Sequence, residues 1–532
     1  MSSSLGVREL EARLRGQDIR LWAQDGKLRY AAPRGRLTPE LRQLIVERKR
    51  EILEDLTATG DGTPPRRSPI GRRGSAGQAP LSFAQQRIWF MDQLSPGNTA
   101  FNVPRVFRLV GPLDLGALQT ALNRVIERHT VLRTVYRCAA GEVCQTVRAG
   151  AELRIERSAA SGASPEERLD DALAMAKAFS ERPFDLTADL MVRALVVGLA
   201  PGEHILVAVL HHIVSDNWAE WVFFREVGQV YNAVVSGRPA ELPALQVDYA
   251  DYAAWQRAWM QGEVLDELLA YWRSRLSGAP ALLALPADRP RAAAPSNRGA
   301  LEPLSLSPVL TAEIRTFAAL NAVTPFMVLL AVFQVVLSRY TNEDDIVVGS
   351  PIANRNSTET ETLVGVQINT LVLRTDCSGN PPFRQHLLRT RDMALAAYEY
   401  QDLPFEILVE VLQPERTLSY HPLVQVMFVF HNTPAIALGM EGIAEHEHRL
   451  SHTSAKFDLC LSVEDGEAAF TGHVEYSLDL FDRPFARRII EHFRTLLTGF
   501  LARPETRLWD LEMVTGEERA DIVRMARPGW SC

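Results

Sequence analysis

Residues 57–79, TATGDGTPPRRSPIGRRGSAGQA, are almost wholly Gly, Pro, Ser, Thr, Ala and Arg. So little apolar surface cannot offset the entropy of ordering the segment, which reads as a flexible linker carrying four arginines as solubilising charge. The break constrains the 532-residue chain to a small N-terminal unit and a large body. Within residues 1–56, Leu5, Leu10 and Leu14 recur at near-helical spacing up to Gly16. Ile19–Ala23 and Lys27–Ala31 then read as short strands around Gln24-Asp25-Gly26, where Asp-Gly favours a tight hairpin. Thr38, Pro39 and Glu40 supply a cap, a first-turn proline and an early acid for a helix over about residues 39–56. It turns Leu41, Leu44, Ile45, Ile52 and Leu53 to one side. A unit this small is marginal alone, so a partner or a second copy would support it.

The body, from Pro80 onward, mixes helical and strand patterns without another long polar break. The fold class expected is therefore α/β (mixed α+β) with mixed sheets. A softer seam, LPADRPRAAAPSNRG at residues 285–299, divides it into lobes of residues 80–285 and 286–525, followed by a tail at 526–532. A net charge of −8 argues against nucleic acid, whose binding depends on basic surface. Cys138, Cys144, Cys377, Cys460 and Cys532 form no CxxC pair and fit a reducing cytoplasm. The start, MSSSLGVREL, has no apolar signal-peptide core. The longest apolar stretch, Phe326–Leu337, is interrupted by Gln334 and stops short of a bilayer's thickness, so no membrane is expected.

His204–Leu210 is an apolar run consistent with a buried strand. It ends in His211-His212-Ile213-Val214-Ser215-Asp216-Asn217, where Ser215 or Asp216 can cap a helix over about residues 219–235. Trp221, Phe224, Val227, Tyr231 and Val234 give that helix an apolar face. Two histidines are thus delivered to a strand end, where α/β folds expose reactive side chains. Taken alone, such a pair reads as hydrogen-bonded core histidines. Being adjacent on a strand they point apart, and neither HExxH nor a nearby cysteine completes a metal site.

The spacing HHxxxD resembles the HHxxxDG signature of nonribosomal peptide synthetase condensation domains, members of the chloramphenicol-acetyltransferase-like superfamily. Other motifs of that family follow in order: LSFAQQRIW at 81–89, RHTVLRT at 128–134, YADYAAWQ at 249–256, VGVQINTL at 364–371, QDLPFE at 401–406 and HPLVQVMF at 421–428. Taken singly, most of these motifs read as core packing or loop geometry. Residues 1–56 resemble tubulysin-synthetase-type N-terminal docking domains, which begin subunits of hybrid assembly lines, so peptide and polyketide donors both remain open.

The resemblance implies two acetyltransferase-like lobes in a V-shaped pseudodimer with a tunnel between them. Two carrier proteins insert phosphopantetheine arms, which act as substrate tethers, while the chain itself binds no cofactor. The acceptor's amine attacks the donor thioester to form an amide. His212 is the implied catalytic residue, as a proton acceptor or as a positioner of the amine, and an imidazole suits either role near neutral pH. His211 is expected to pack. Asp216 is expected to pair with an arginine of the second lobe, for which Arg355 in GSPIANR is the candidate. Arg133 braces either the tunnel or the fold, and Asn432 stands near the acceptor.

Asn217 replaces the family's glycine. Asparagine tolerates the left-handed region better than most residues but adds bulk, so the expectation is a narrowed or retuned tunnel. No DxxxxDxxS replaces the histidine motif, and no carrier or adenylation motif is found, so the chain cannot load its own substrate. The expected partners are upstream and downstream carrier proteins and, at residues 1–56, the C-terminal tail of an upstream subunit. Thr515–Arg519 resembles the lead into an adenylation domain, so a downstream adenylation domain is expected in the full-length subunit. The chain then stops at RPGWSC, as an excised piece or as a true end. Two other readings share the motif: a free-standing acyltransferase making an ester or amide, and a non-catalytic recruitment platform.

Overall fold

The computed structural model describes residues 67–526 apart from 75–76, 140, 414–418, 449 and 451–453, and earlier residues 20–24, 27–31, 45, 48–49 and 51–52. Strands β1 (Arg20–Gln24) and β2 (Lys27–Ala31) pair antiparallel with Gln24 opposite Lys27, the register expected of a tight hairpin. Ile45 and Ile52 are buried. The other elements expected in residues 1–56, the linker up to residue 66, and the tail from residue 527 lie outside the described residues.

The body opens with β3 (Ala79–Pro80) and α1 (Phe83–Leu94), whose start is fixed by reciprocal bonds of 3.1 Å between Ser82 and Gln85. Then come β4 (Asn102–Val110), α2 (Leu115–Arg128), β5 (Thr134–Ala139), β6 (Glu142–Val147), β7 (Glu156–Ala159), α3 (Pro165–Ser180), β8 (Val192–Ala200) and β9 (Glu203–His211). Helices α4 (Asn217–Val235), α5 (Tyr249–Trp259) and α6 (Gly262–Leu276) follow. The second half runs β10 (Gly299–Ser305), α7 (Pro308–Leu320), α8 (Pro325–Thr341), β11 (Asp345–Ile352), α9 (Thr358–Glu361), β12 (Asn369–Asp376), α10 (Phe383–Glu399) and α11 (Phe405–Leu412). It ends with β13 (Val426–His431), β14 (Ala444–His448), β15 (Leu459–Asp465), β16 (Phe470–Ser477), α12 (Arg483–Ala502) and α13 (Gly516–Ala526).

Two mixed sheets organise two cores. One has the order β14-β4-β9-β8-β7, the other β10-β16-β15-β13-β11-β12. β9 is buried at every residue from Ile205 to His211, as expected of a strand covered on both faces. In the second core α8 is buried continuously from Met327 to Ser338. That burial explains the apolar stretch, and its one polar interruption is satisfied: the Gln334 amide donates to Thr375 Oγ1 at 2.8 Å and accepts from Thr390 at 3.0 Å. Among the described residues no single helix is long and apolar enough to cross a membrane.

The seam between lobes lies earlier than the sequence suggests. Met260, Leu268, Leu269, Trp272, Leu276 and Leu283 already belong to the second core, so by packing the chain crosses between α5 and α6. The Pro- and Arg-rich run at 285–299 follows that crossing and marks exposure, not a boundary. The second lobe also returns twice: Leu363, Val364 and Val366, then Leu438, Met440 and Ile443, join the first core, and β14 pairs with β4. Gly228 permits the second return, because a Cβ there would lie 1.5 Å from the Leu438 carbonyl oxygen.

The described part of the expected linker is seated on the body. Arg72 donates to the Leu245 and Gln246 carbonyls at 2.8 and 2.6 Å, Arg73 pairs with Asp251 at 3.2 Å, and Arg67 pairs with Asp402. The Trp255 indole donates to the Ser68 carbonyl at 2.9 Å. Composition alone reads these arginines as solvated because their partners are distant in sequence.

Candidate active site

Backbone bonds on both flanks fix the end of β9: His211 N–H donates to the Met191 carbonyl at 3.0 Å and His212 N–H to the Phe101 carbonyl at 2.8 Å. A short turn follows before Asp216 caps α4, its Oδ1 accepting from Ala219 N–H at 2.8 Å. The strand's apolar burial and the cap together hold the two histidines at the lobe junction.

His211 and His212 have opposite surroundings. The His211 ring is buried, tilted against Phe101 and edge-on to Phe184 with centroids 6.1 and 5.5 Å away. Its Nδ1 accepts from Ile213 N–H at 3.2 Å. Burial, helped by His212 and Arg193, holds it neutral, with a pKa of about 3. His212 keeps part of its ring accessible. Its Nδ1 lies 2.6 Å from the Ser215 carbonyl, which can only accept, so Nδ1 carries the proton and Nε2 presents a lone pair. Burial lowers its pKa to about 4, with Lys456 and Arg87 adding to the effect and the Ser215 carbonyl and Asp216 opposing it. The result at neutral pH is an uncharged imidazole with one open acceptor nitrogen.

Asp216 and Arg355 meet at 3.1 Å with side chains only 3% and 2% exposed. Arg355 also donates to the carbonyls of Thr360, Leu363 and Gly365 at 2.7, 2.8 and 2.8 Å. Asp216 Oδ2 accepts from the N–H groups of Gln367 and Ile368 at 2.8 and 3.2 Å. The pair therefore fastens segment 360–368 of the second lobe to the start of α4. Gly365, at φ +149°, completes this contact, since a Cβ there would fall 1.9 Å from the Tyr249 ring. The Tyr249 hydroxyl lies 2.8 Å from Ser82 Oγ, and Gln85 donates to the Tyr136 hydroxyl at 3.1 Å.

Elsewhere the sequence motifs meet as scaffolding. His129 and Arg128 both reach Glu226, at 2.8 and 3.0 Å. Asn369 donates to the Gln401 and Leu403 carbonyls, both at 2.8 Å, and accepts from Phe405 N–H at 3.0 Å. Gln425 accepts from Leu283 N–H and donates to the Ala281 carbonyl, each at 3.1 Å.

Asn217 is the first residue of α4, not a left-handed position, so the backbone argument from its missing glycine does not apply. Its amide donates to Thr433 across the lobes and accepts from Arg105 at 3.1 Å. Asn432 is exposed just past β13, beside Thr433. Arg133 donates to the Arg148 carbonyl at 2.5 Å, a bond of fold support with no group around His212. Phe101, whose carbonyl holds the His212 N–H, and Lys456, whose charge acts on His212, escape the sequence reading. Phe101 resembles any apolar residue, and Lys456 stands in no recognised motif.

An open imidazole nitrogen at the junction of two lobes defines a centre that can accept a proton from a nucleophile. Comparison with known proteins specifies the class. Residues 75–523 match the Condensation domain family and residues 7–57 the TubC N-terminal docking domain. The chain belongs to the condensation domains of nonribosomal peptide synthetases, which are amide-bond-forming acyltransferases. The dimodular nonribosomal peptide synthase of Bacillus subtilis is 39% identical over 459 residues, covering 84% of this chain and 19% of the synthase. Phosphinothricin tripeptide synthetase PhsC of Streptomyces viridochromogenes is 36% identical over 508 residues, 95% of this chain and 46% of the synthetase. The chain thus spans less than half the length of either relative. The crystal structure of the X-domain from teicoplanin biosynthesis superposes with a TM-score of 0.76 at 27% identity, covering 84% of this chain and 100% of that one.

Proposed function

We propose that this chain moves a donor acyl or peptidyl group from one carrier-bound thioester to the amine of an aminoacyl thioester on a second carrier, with His212 as the catalytic residue. The observation that carries the reading is the His212 ring, its Nδ1 committed to the Ser215 carbonyl at 2.6 Å and its Nε2 open. The acceptor amine donates one N–H to Nε2, which aims its lone pair at the donor carbonyl carbon. As the C–N bond forms, the carbonyl π pair moves onto oxygen and the amine's proton passes to Nε2. Collapse of the adduct breaks the C–S bond, and the departing sulfur takes that proton. A pKa of about 4 makes Nε2 a weak base at rest. It takes the proton only as attack makes the amine acidic, when the Ser215 carbonyl and Asp216 stabilise the brief imidazolium.

Asp216 and Arg355 are positioning residues in this reading, acting through the start of α4. The tethers are the carriers' phosphopantetheine arms. The donor arrives from an upstream subunit whose C-terminal tail engages residues 1–56, and a downstream adenylation domain selects the acceptor, all within the cytoplasm. Support comes from the docking-domain match and from relatives that are themselves peptide synthetases.

The test is intact-protein mass spectrometry of a single turnover, with an acyl-loaded donor carrier and an aminoacyl-loaded acceptor carrier. The acceptor carrier is expected to gain the donor's acyl mass with the wild type and to gain almost none with His212→Ala. Equal transfer by the variant would refute the His212 assignment. Transfer from acyl-CoA to a small nucleophile, with none between carriers, would favour a free-standing acyltransferase.

A further inference from the structure

One charge that acts on His212 has no part in the chemistry above. Lys456 lies in the segment leading into β15 on the second lobe, and its ammonium reaches the first lobe, 5.2 Å from the Phe101 ring centroid. The Phe101 carbonyl is the group that accepts His212 N–H at 2.8 Å, so Lys456 and His212 share one neighbour across the junction. Among the charged groups that act on His212, Lys456 has the largest effect.

The backbone on either side of Lys456 is pinned. Ala455 N–H donates to the Asn297 carbonyl at 2.9 Å and Asp458 N–H to the Gln425 carbonyl at 3.0 Å, while the Asp458 carboxylate pairs with Arg291 at 2.9 Å. The residue as a whole is exposed, but burial of its ammonium end lowers its pKa, and among the described residues its Nζ makes no hydrogen bond or ion pair. Arg87 and Glu475 act on it electrostatically, and His421 is held by its backbone.

The residue type is informative as well. Only four of the chain's 57 cationic residues are lysine, at positions 27, 49, 177 and 456, and all the others are arginine. A sequence so strongly biased towards arginine places at this junction the compact ammonium, a point charge with rotatable donors, instead of a planar guanidinium.

The reaction needs such a donor. When the amine adds to the thioester, negative charge collects on the carbonyl oxygen and must be met by a preorganised hydrogen bond. His212 cannot supply it, because Nε2 bears no proton and the Nδ1 proton is held by Ser215. We propose that Lys456 is a second catalytic residue, whose ammonium donates a hydrogen bond to the donor thioester's carbonyl oxygen and stabilises the oxyanion. No proton is transferred from it. The charge that builds on oxygen during C–N bond formation returns to the carbonyl as the C–S bond breaks.

This inference rests on the condensation reading, and the experiment separates the two. Single-turnover transfer between loaded carriers is measured as a function of carrier concentration and pH for wild type, Lys456→Met and Lys456→Arg, with thermal melting of each. Lys456→Met is expected to lower the saturating rate about 100-fold, the size seen when one oxyanion donor is removed, while half-saturation and melting stay unchanged. Its acid limb should also move up in pH, because the neighbouring positive charge is gone. Lys456→Arg should recover part of the rate by retaining charge and donors. A Met variant within about twofold of wild type removes Lys456 from the chemistry and leaves the condensation reading intact. A loss confined to half-saturation, or a lowered melting point with no recovery by arginine, also overturns the proposal. A wild type that transfers nothing between carriers overturns both readings.

Discussion

The Asp216 carboxylate and the two terminal nitrogens of Arg355 are committed to protein partners; among the described residues, the open ring nitrogen of His212 and the Lys456 ammonium are not. Asp216 accepts from Ala219, Gln367, Ile368 and Arg355, and Arg355 closes on three further carbonyls. His212 uses one ring nitrogen and leaves the other accessible, and the Lys456 ammonium makes no bond among the described residues. The HHxxxD motif therefore joins two physical tasks. Its aspartate anchors one lobe to the other, and its second histidine keeps one ring nitrogen open.

Mutations can break that contrast. The largest expected effect is in rate: His212→Ala should lower single-turnover transfer by about 10²–10⁴-fold, while urea unfolding stays close to wild type. Arg355→Met should act first on stability, with a smaller loss of rate through the displaced start of α4. Removing one member of a buried pair is expected to cost ~3–5 kcal/mol in urea unfolding. The double variant Asp216→Asn with Arg355→Met should recover part of that loss, because no uncompensated charge remains.

Acid sharpens the comparison. The native pKa values of His211, His212 and His386 fall to about 3, 4 and 4, largely through burial. An unfolded histidine binds its proton near pH 6.5, so between there and about pH 4 the unfolded chain holds more protons than the native one. Stability should accordingly be full above pH 6.5 and fall as pH drops through that window. Calorimetric melting from pH 7 to 4.5 checks this, and His386→Phe should flatten part of the slope. The smallest effect is expected at Asn217. Replacement by glycine removes the bonds to Thr433 and Arg105 and should cost about 1 kcal/mol. Donor preference should not change, because the amide is already committed; competition between two donor carriers in one reaction would test this.

Much of the site was legible because it is encoded locally. An apolar run, two histidines and a capping aspartate specify a strand, a turn and a helix start within residues 204–217. The family resemblance, which pairs this aspartate with an arginine of the second lobe, then pointed to Arg355 as its partner. What escaped depends on residues far apart in sequence. Arg67 meets Asp402, Leu438 joins a core made mostly by residues before 260, and Lys456 reaches Phe101, and none of these pairings leaves a local pattern. The seam was misplaced for a related reason. Proline and arginine report exposure, whereas a lobe boundary is set by where buried side chains pack.

The β14–β4 pairing has a consequence for anyone who would exchange one half of this enzyme for another. A cut within residues 285–299 looks clean in composition, yet it strips an edge strand from the first sheet and removes Leu438, Met440 and Ile443 from its core. The orphaned half would present the bare edge of β4 beside an unfilled apolar hollow, which invites self-association. A graft that carries residues 434–448 along with the first half keeps that sheet whole, so the heritable unit here is defined by packing and not by contiguity.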